Sequence, residues 1–352
     1  MSHEVDLTMG QVSTAAAGQS EMPRLEPQRK PRGAALRMGV IMGLGYRNLC
    51  GDLDRVTRVL DELPVPHIVV RNPDDVGAAL DDFQESGMDV VAVSGGDGTV
   101  SMVATHLLNR KKSMPLLAVL EGGRTNMTAY DVGLRGDQIE QLQRLLKWTD
   151  EGGAPPFEIV ERSVIAVSKN GSRPECGFFV GGGAVYEGSL KTWAFRDDSK
   201  LPGMRTGIGT GVSVAKLVAK HFLNRSAFKP SRQRIFADGK LLPEDRWCVT
   251  LASTLERLVF GIYPFWGEGE GQGQIRLTAV SADHRHLFRA GLAAIRAKTG
   301  TFNTPMKGYH SCIASEIDIE LDGGVTLDGQ IIHHEGPGLR LGIAGSLRFL
   351  RG

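Results

Sequence analysis

Val90-Val91-Ala92-Val93-Ser94-Gly95-Gly96-Asp97-Gly98-Thr99-Val100 is the stretch on which the fold turns. Its four leading apolar residues read as a strand buried on both faces, and such strands belong to parallel sheets covered by helices. The strand runs into a turn with three glycines, Gly95, Gly96 and Gly98. Glycine lets the backbone bend tightly and approach a ligand with no Cβ in the way. Val100–Asn109 reads as a helix, so the amides of the turn and of the helix start face an anion, which the helix dipole favours. Asp97 sets a carboxylate beside that cradle, and Thr99 can cap the helix or bond a phosphate oxygen. An ordinary strand-to-helix turn needs one glycine; this one reads as a phosphate-facing loop.

Outward from this stretch, strands and helices alternate. Leu36–Met42, Pro66–Val70, Asp89–Val93 and Met114–Leu120 read as strands. Asp52–Leu63, Pro73–Glu85 and Asp137–Trp148 read as helices, the last opened by an Asp137/Glu140 capping box. Short links between them predict a parallel sheet covered by helices. Gly152-Gly153-Ala154-Pro155-Pro156 then breaks the pattern. Beyond it Phe157–Val167, Cys176–Val180, Gln233–Phe236, Trp247–Ala252, Gln274–Val280, Ile313–Leu321, Val325–Ile332 and Leu339–Ile343 read as strands. Asn170-Gly171, Asp238-Gly239, Asp322-Gly323-Gly324 and Asp328-Gly329 mark turns, and Val212–Leu223 and Leu287–Lys298 read as helices. The expected fold class is an α/β N-terminal domain with a parallel sheet, followed by a β-rich sandwich or flattened barrel. Residues 1–35 read as a disordered tail, 36–153 as a nucleotide-binding α/β domain and 154–352 as a β-rich substrate domain.

Composition narrows the function. The 352 residues carry 41 Lys+Arg against 40 Asp+Glu, a net charge of +1, which argues against a nucleic-acid partner. Cys50, Cys176, Cys248 and Cys312 are scattered, without the spacing of a zinc site or a disulfide framework, and imply a reducing compartment. The N-terminus lacks the order of a secretory signal, and no run approaches the ~20 apolar residues of a spanning helix. A soluble protein, at most attached to a membrane surface, is expected. His333-His334 alternates faces on a strand, so the pair does not share one metal ion.

Gly95-Gly96-Asp97-Gly98-Thr99 resembles the signature shared by diacylglycerol kinases, sphingosine and ceramide kinases, NAD kinases and, more distantly, phosphofructokinases. A second match follows after the next strand, where Leu120-Glu121-Gly122-Gly123-Arg124-Thr125-Asn126-Met127-Thr128-Ala129 is similar to the second loop of the lipid kinases. Gly181-Gly182-Gly183-Ala184 and Asp328-Gly329-Gln330 continue the likeness in order over residues 36–352. The chain departs from that family at four places. The first loop reads Gly43-Leu44-Gly45-Tyr46-Arg47-Asn48, Arg124 and Met127 replace the family's Thr and Asp, and Gln330 replaces a late Glu.

The resemblance implies an ATP-dependent lipid kinase that transfers the γ-phosphate to the hydroxyl of diacylglycerol, ceramide or a sphingoid base. Gly95, Gly96, Gly98, Thr99, Gly123, Arg124, Thr125 and Asn126 would hold the nucleotide. Arg124 can bind phosphate bidentately. Gln330 cannot accept a proton near neutral pH, which leaves Asp97 as the first candidate for the base and Asp328 as the second. Mg2+ would enter on the nucleotide, with no protein residues assigned to it. The lipid implies work at the inner face of the membrane by a cytoplasmic protein, docked through the basic helix Val212–Leu223 or the aromatic group Phe260, Tyr263, Phe265 and Trp266, unless these pack in the core. A homodimer is compatible with this reading. An NAD kinase-like enzyme and an inactive nucleotide-binding regulator are the alternatives.

Overall fold

Strands β1 (Met38–Gly43), β2 (His67–Val70), β3 (Val90–Gly95) and β4 (Leu116–Glu121) lie parallel in the order β2-β1-β3-β4. Between and after them come α1 (Leu53–Asp61), α2 (Pro73–Glu85), α3 (Asp97–Arg110), α4 (Met127–Val132) and α5 (Gln138–Asp150). The computed structural model describes residues 35–44, 51–63, 65–110, 114–153, 156–169, 172–190, 230–258, 262–267, 275–296, 307–334 and 338–352. The helix expected over 212–223, the turn at 170–171, Tyr46, Arg47 and Phe260 lie outside these residues.

The continuous apolar runs of the strands follow from burial on both faces. Ile41, Val91, Val93 and Val119 meet Val76, Leu80, Phe83, Val100 and Val103 of α2 and α3. Their neighbours Val40, Met42, Ala92 and Leu120 meet Val56 and Leu60 of α1 and Leu142 and Leu145 of α5. Polar caps set the helix starts. Asn72 accepts from the Asp75 N–H at 2.9 Å with Pro73 at the first helical position. Asp137 Oδ1 accepts from the N–H groups of Ile139 and Glu140 at 3.0 and 3.2 Å.

The second half consists of β5 (Glu158–Ser168), β6 (Glu175–Gly177), β7 (Phe179–Gly183), β8 (Ser231–Ala237), β9 (Lys240–Leu241), β10 (Arg246–Ser253), β11 (Ile275–Ser281), α6 (Leu287–Ile295), β12 (Tyr309–Ala314), β13 (Ile317–Leu321), β14 (Gly323–Leu327), β15 (Gln330–His334) and β16 (Leu339–Arg351). One antiparallel layer runs β15-β14-β7-β10-β11-β12. The other runs β9-β8-β13-β16-β5-β6. Val180, Trp247, Leu277 and Leu327 from the first pack on Ile165, Ile235, Ile319 and Leu341 from the second, the core of a sandwich. β16 also continues into the N-terminal sheet, pairing parallel to β4 at Phe349 and Leu117.

Several elements differ from the sequence-based expectation. Helix α3 starts at Asp97, inside the glycine turn, instead of at Val100. The strand expected over 176–180 is interrupted at Phe178, the one over 313–321 at 315–316, and the one over 325–332 by the Asp328-Gly329 turn. The strand expected over 339–343 continues to Arg351 through a bulge between Ile343 and Gly345. The six-residue helix α4 was not expected from the periodicity.

Candidate active site

The two glycine loops meet at the carboxyl ends of β3 and β4, the edge at which open α/β sheets take their ligands. Gly122 N–H donates to the Gly95 carbonyl at 3.0 Å. A Cβ on Gly122 would lie 2.6 Å from Gly95 N, and one on Gly96 would lie 3.1 Å from Gly123 Cα. These glycines therefore make room for each other's backbone, locking one loop against the other. The Gly96 carbonyl closes the first turn of α3 on the N–H groups of Thr99 and Val100, leaving the amides of Asp97 and Gly98 at the open end of the helix. Thr99 is buried, its side chain in the space that Gly43 and Gly95 leave.

Asp97 ties the second loop to the first. Its Oδ2 accepts from Thr125 Oγ1 at 2.7 Å and from the Met127 N–H at 3.1 Å, and its Oδ1 accepts from the Thr128 N–H at 2.8 Å. It thus caps α4 from another element, in the position where the helix dipole favours a carboxylate. Asn126 sits in the left-handed region at φ 48°, and its amide closes the loop on Gly123: Oδ1 accepts from Gly123 N–H at 2.7 Å and Nδ2 donates to Gly123 O at 3.2 Å. Arg124 and Thr125 stand exposed at the tip.

The late loop closes on the same helix from the second half of the chain. Asp328, at φ 49° in the β14–β15 turn, donates its N–H to the Phe179 carbonyl at 2.9 Å. Its Oδ1 accepts from Phe179 N–H and its Oδ2 from Phe178 N–H, both at 2.9 Å. Ser101 Oγ, one turn beyond Asp97 on α3, stands 3.0 Å from Asp328 Oδ2 and 2.7 Å from the Cys176 carbonyl. A Cβ on Gly177 would fall on Asp328 Oδ2, so the absent side chain creates the space for the carboxylate. Gln330 Nε2 donates to the Gly98 carbonyl at 3.1 Å. Burial, and then the charge of Asp97, push the Asp328 carboxyl up to about 7 against the pull of the Phe178 and Phe179 N–H groups.

The structure thus brings Gly95, Gly96, Gly98, Gly123, Thr125, Asn126, Asp97 and Asp328 together around the first turn of α3. Ser101, Cys176 and Gly177 belong to the same cluster and were not expected there. Their only sequence signals are the i, i+4 spacing of Asp97 and Ser101 and a glycine ahead of Phe178-Phe179. Tyr263 and Phe265 form an edge-to-face pair at 6.0 Å, with Phe265 in the main core, so these two aromatics pack inward. A groove of about 620 Å³ runs between α2, α3 and β6, lined at the late loop by Ser101 and Gln330 and elsewhere by Met102, Thr105, Arg110 and Arg173.

The donors present suit a triphosphate: helix-start amides and the exposed Arg124 guanidinium around one turn. They do not form a metal cage. Among the described residues no three His, Cys, Asp or Glu side chains converge as metal ligands.

Comparison with known proteins agrees with this geometry. Residues 45–152 match the model of the diacylglycerol kinase catalytic domain. Three solved structures from Bacillus anthracis str. Sterne share the fold. A provisionally designated diacylglycerol kinase aligns at TM-score 0.60 and 16% identity over 93% of this chain and 98% of its own. Another with that designation aligns at TM-score 0.58, and a diacylglycerol kinase at 0.57, each 18% identical over 90% of this chain and 98% of its own. No curated protein sequence matches the chain. The stretch from Gly45 to Gly152, with both glycine loops, matches the diacylglycerol kinase catalytic domain, and the chain around it has the fold of these solved structures.

Proposed function

We propose that the protein is an ATP-dependent kinase whose acceptor is the hydroxyl of a membrane lipid: diacylglycerol, ceramide or a sphingoid base. The observation that carries this reading is the pair of interlocked glycine loops at the open end of α3, clamped by Asp97, within a stretch that matches the diacylglycerol kinase catalytic domain. ATP supplies the γ-phosphoryl group, and a divalent ion carried on its phosphates offsets their charge. The amides of Asp97 and Gly98 and the Arg124 guanidinium bind and orient the phosphates, while Thr125, its proton donated to Asp97, holds the second loop in place. The acceptor hydroxyl reaches the first turn of α3 along the groove beside Ser101 and Gln330. Its proton passes to the Asp97–Asp328 pair, with Asp97 as the acceptor, because Gln330 offers only an amide. Gln330 holds the Gly98 carbonyl and so fixes the loop.

Such an acceptor remains in the bilayer. No helix among the described residues is long and apolar enough to cross a membrane, so the reading places the protein on the membrane surface. Radiolabelled ATP is offered with diacylglycerol, ceramide and sphingoid bases in vesicles, and separately with NAD. Label in one lipid and none in NAD is expected. Label in NAD alone would replace the lipid acceptor with a soluble one.

A further inference from the structure

We propose that Asp328 is a neutral carboxylic acid in the resting protein, donating its proton to Ser101 Oγ, and that it acts as a positioning residue fastening the late loop to α3. Strand β6 pairs with β5 on one edge, and its other edge faces α3, where Ser101 and Thr105 take the place of a neighbouring strand. Cys176 N–H donates to Thr105 Oγ1 at 2.9 Å, and Thr105 Oγ1 donates to the Cys176 carbonyl at 3.1 Å. Ser101 Oγ lies 2.7 Å from that same carbonyl. Two oxygens so close need a proton between them, and a carbonyl has none to give. The one serine proton therefore belongs to Cys176 O.

Asp328 Oδ2 is 3.0 Å from the same serine oxygen. With the serine proton already placed, this approach is a hydrogen bond only if the proton is on Asp328. An acid hydroxyl at Oδ2 can donate to Ser101 and still accept from Phe178 N–H, while Oδ1 accepts from Phe179 N–H. Every donor and acceptor then has a partner, as buried groups require. An ionised Asp328 would set oxygen lone pairs against each other at one of the two contacts. The charge facing it agrees. Asp97 on α3 presents the one charge that acts on it, and that charge is negative. Asp97 differs in kind, since its three partners are all donors. The pair divides into an ionised Asp97 and a neutral Asp328. The consequence for turnover rests on the proposed kinase reading; the proton itself does not.

The test is an infrared pH titration of the full chain, with no substrate present, for wild type, Asp328→Asn and Ser101→Ala. Wild type is expected to show a carboxylic-acid C=O band at neutral pH that disappears as pH rises and is absent from Asp328→Asn. In Ser101→Ala the acid loses its acceptor, so the midpoint is expected to fall. If Ser101 instead donates to an ionised Asp328, the midpoint rises. Lack of the acid band at neutral pH, or a raised midpoint in Ser101→Ala, overturns the proposal. Should Asp328→Asn fail to fold, carbon-13 NMR of aspartate carboxyls in wild type and Ser101→Ala reads the same titration. A kinase assay that fails leaves this result untouched.

Discussion

Replacing Asp97 by Asn separates the clamp that its carboxylate forms from the proton transfer proposed for it. As a clamp it accepts from Thr125 and from two amides at the start of α4, and Asn keeps an oxygen for only part of that set. The expected loss of stability is about 1–2 kcal/mol. As a proton acceptor it has no substitute in the amide, and turnover should fall about 10²–10⁴-fold. Thermal melts and kcat measured together check both; a normal kcat would remove Asp97 from the proton transfer. The carboxyl of Asp328 predicts a pH effect. Its unfolded value is about 3.9, and in the fold it is raised to about 7. The folded chain binds more protons than the unfolded chain between these values, so stability falls as pH rises through that window. The Tm of wild type should decline over this range more steeply than that of Asp328→Asn, with equal slopes as the contrary result. The acid and glycines of the first loop were legible because they are contiguous in sequence. Ser101, Cys176 and Gly177 were not, because their roles depend on Asp328, which lies 227 residues beyond Ser101.

Among the elements, the crossing of the two loops is the most exposed to test. Alanine at Gly122 would place its Cβ 2.6 Å from Gly95 N, against backbone that cannot swing away as a side chain can. Gly122→Ala should cost about 1–3 kcal/mol and weaken nucleotide binding in parallel. Unchanged melting and ATP affinity would show that the loops are not in contact. The parallel sheet was readable from its strands because burial on both faces writes an unbroken apolar run. The start of α3 was not: two of its expected turn residues are Asp97 and Gly98, and tertiary clamping of Asp97 outweighs the poor helix propensity of Gly98. Strand β16 was seen only as far as Ile343, because the bulge before Gly345 shifts its alternation. The β14–β15 hairpin shows the reverse, where the Asp-Gly turn signal outweighed the apolar run around it.

At the scale of the molecule, the last strand joins the halves. β16 pairs with β13 and β5 in the sandwich and reaches β4 at Phe349, a residue with no exposure that packs edge-to-face on Phe178 at 5.8 Å. Phe349→Ala should cost about 3–5 kcal/mol and lower a single melting transition, because both halves lose the same support. Two separated transitions would show that the halves are independent. The division at residue 153 marks the end of the first run of elements, but chain order alone did not reveal that the final strand returns to the first sheet. The site depends on this return, since the loops around Asp97 come from one half and Asp328 from the other. The most direct test of the account follows the γ-phosphate of radiolabelled ATP on diacylglycerol, ceramide and sphingoid-base vesicles, with wild type and Asp97→Asn side by side. Wild type should yield a labelled lipid phosphate, and the variant should lose at least about 10²-fold of it. ATP binding by wild type with no label in any lipid would contradict the account.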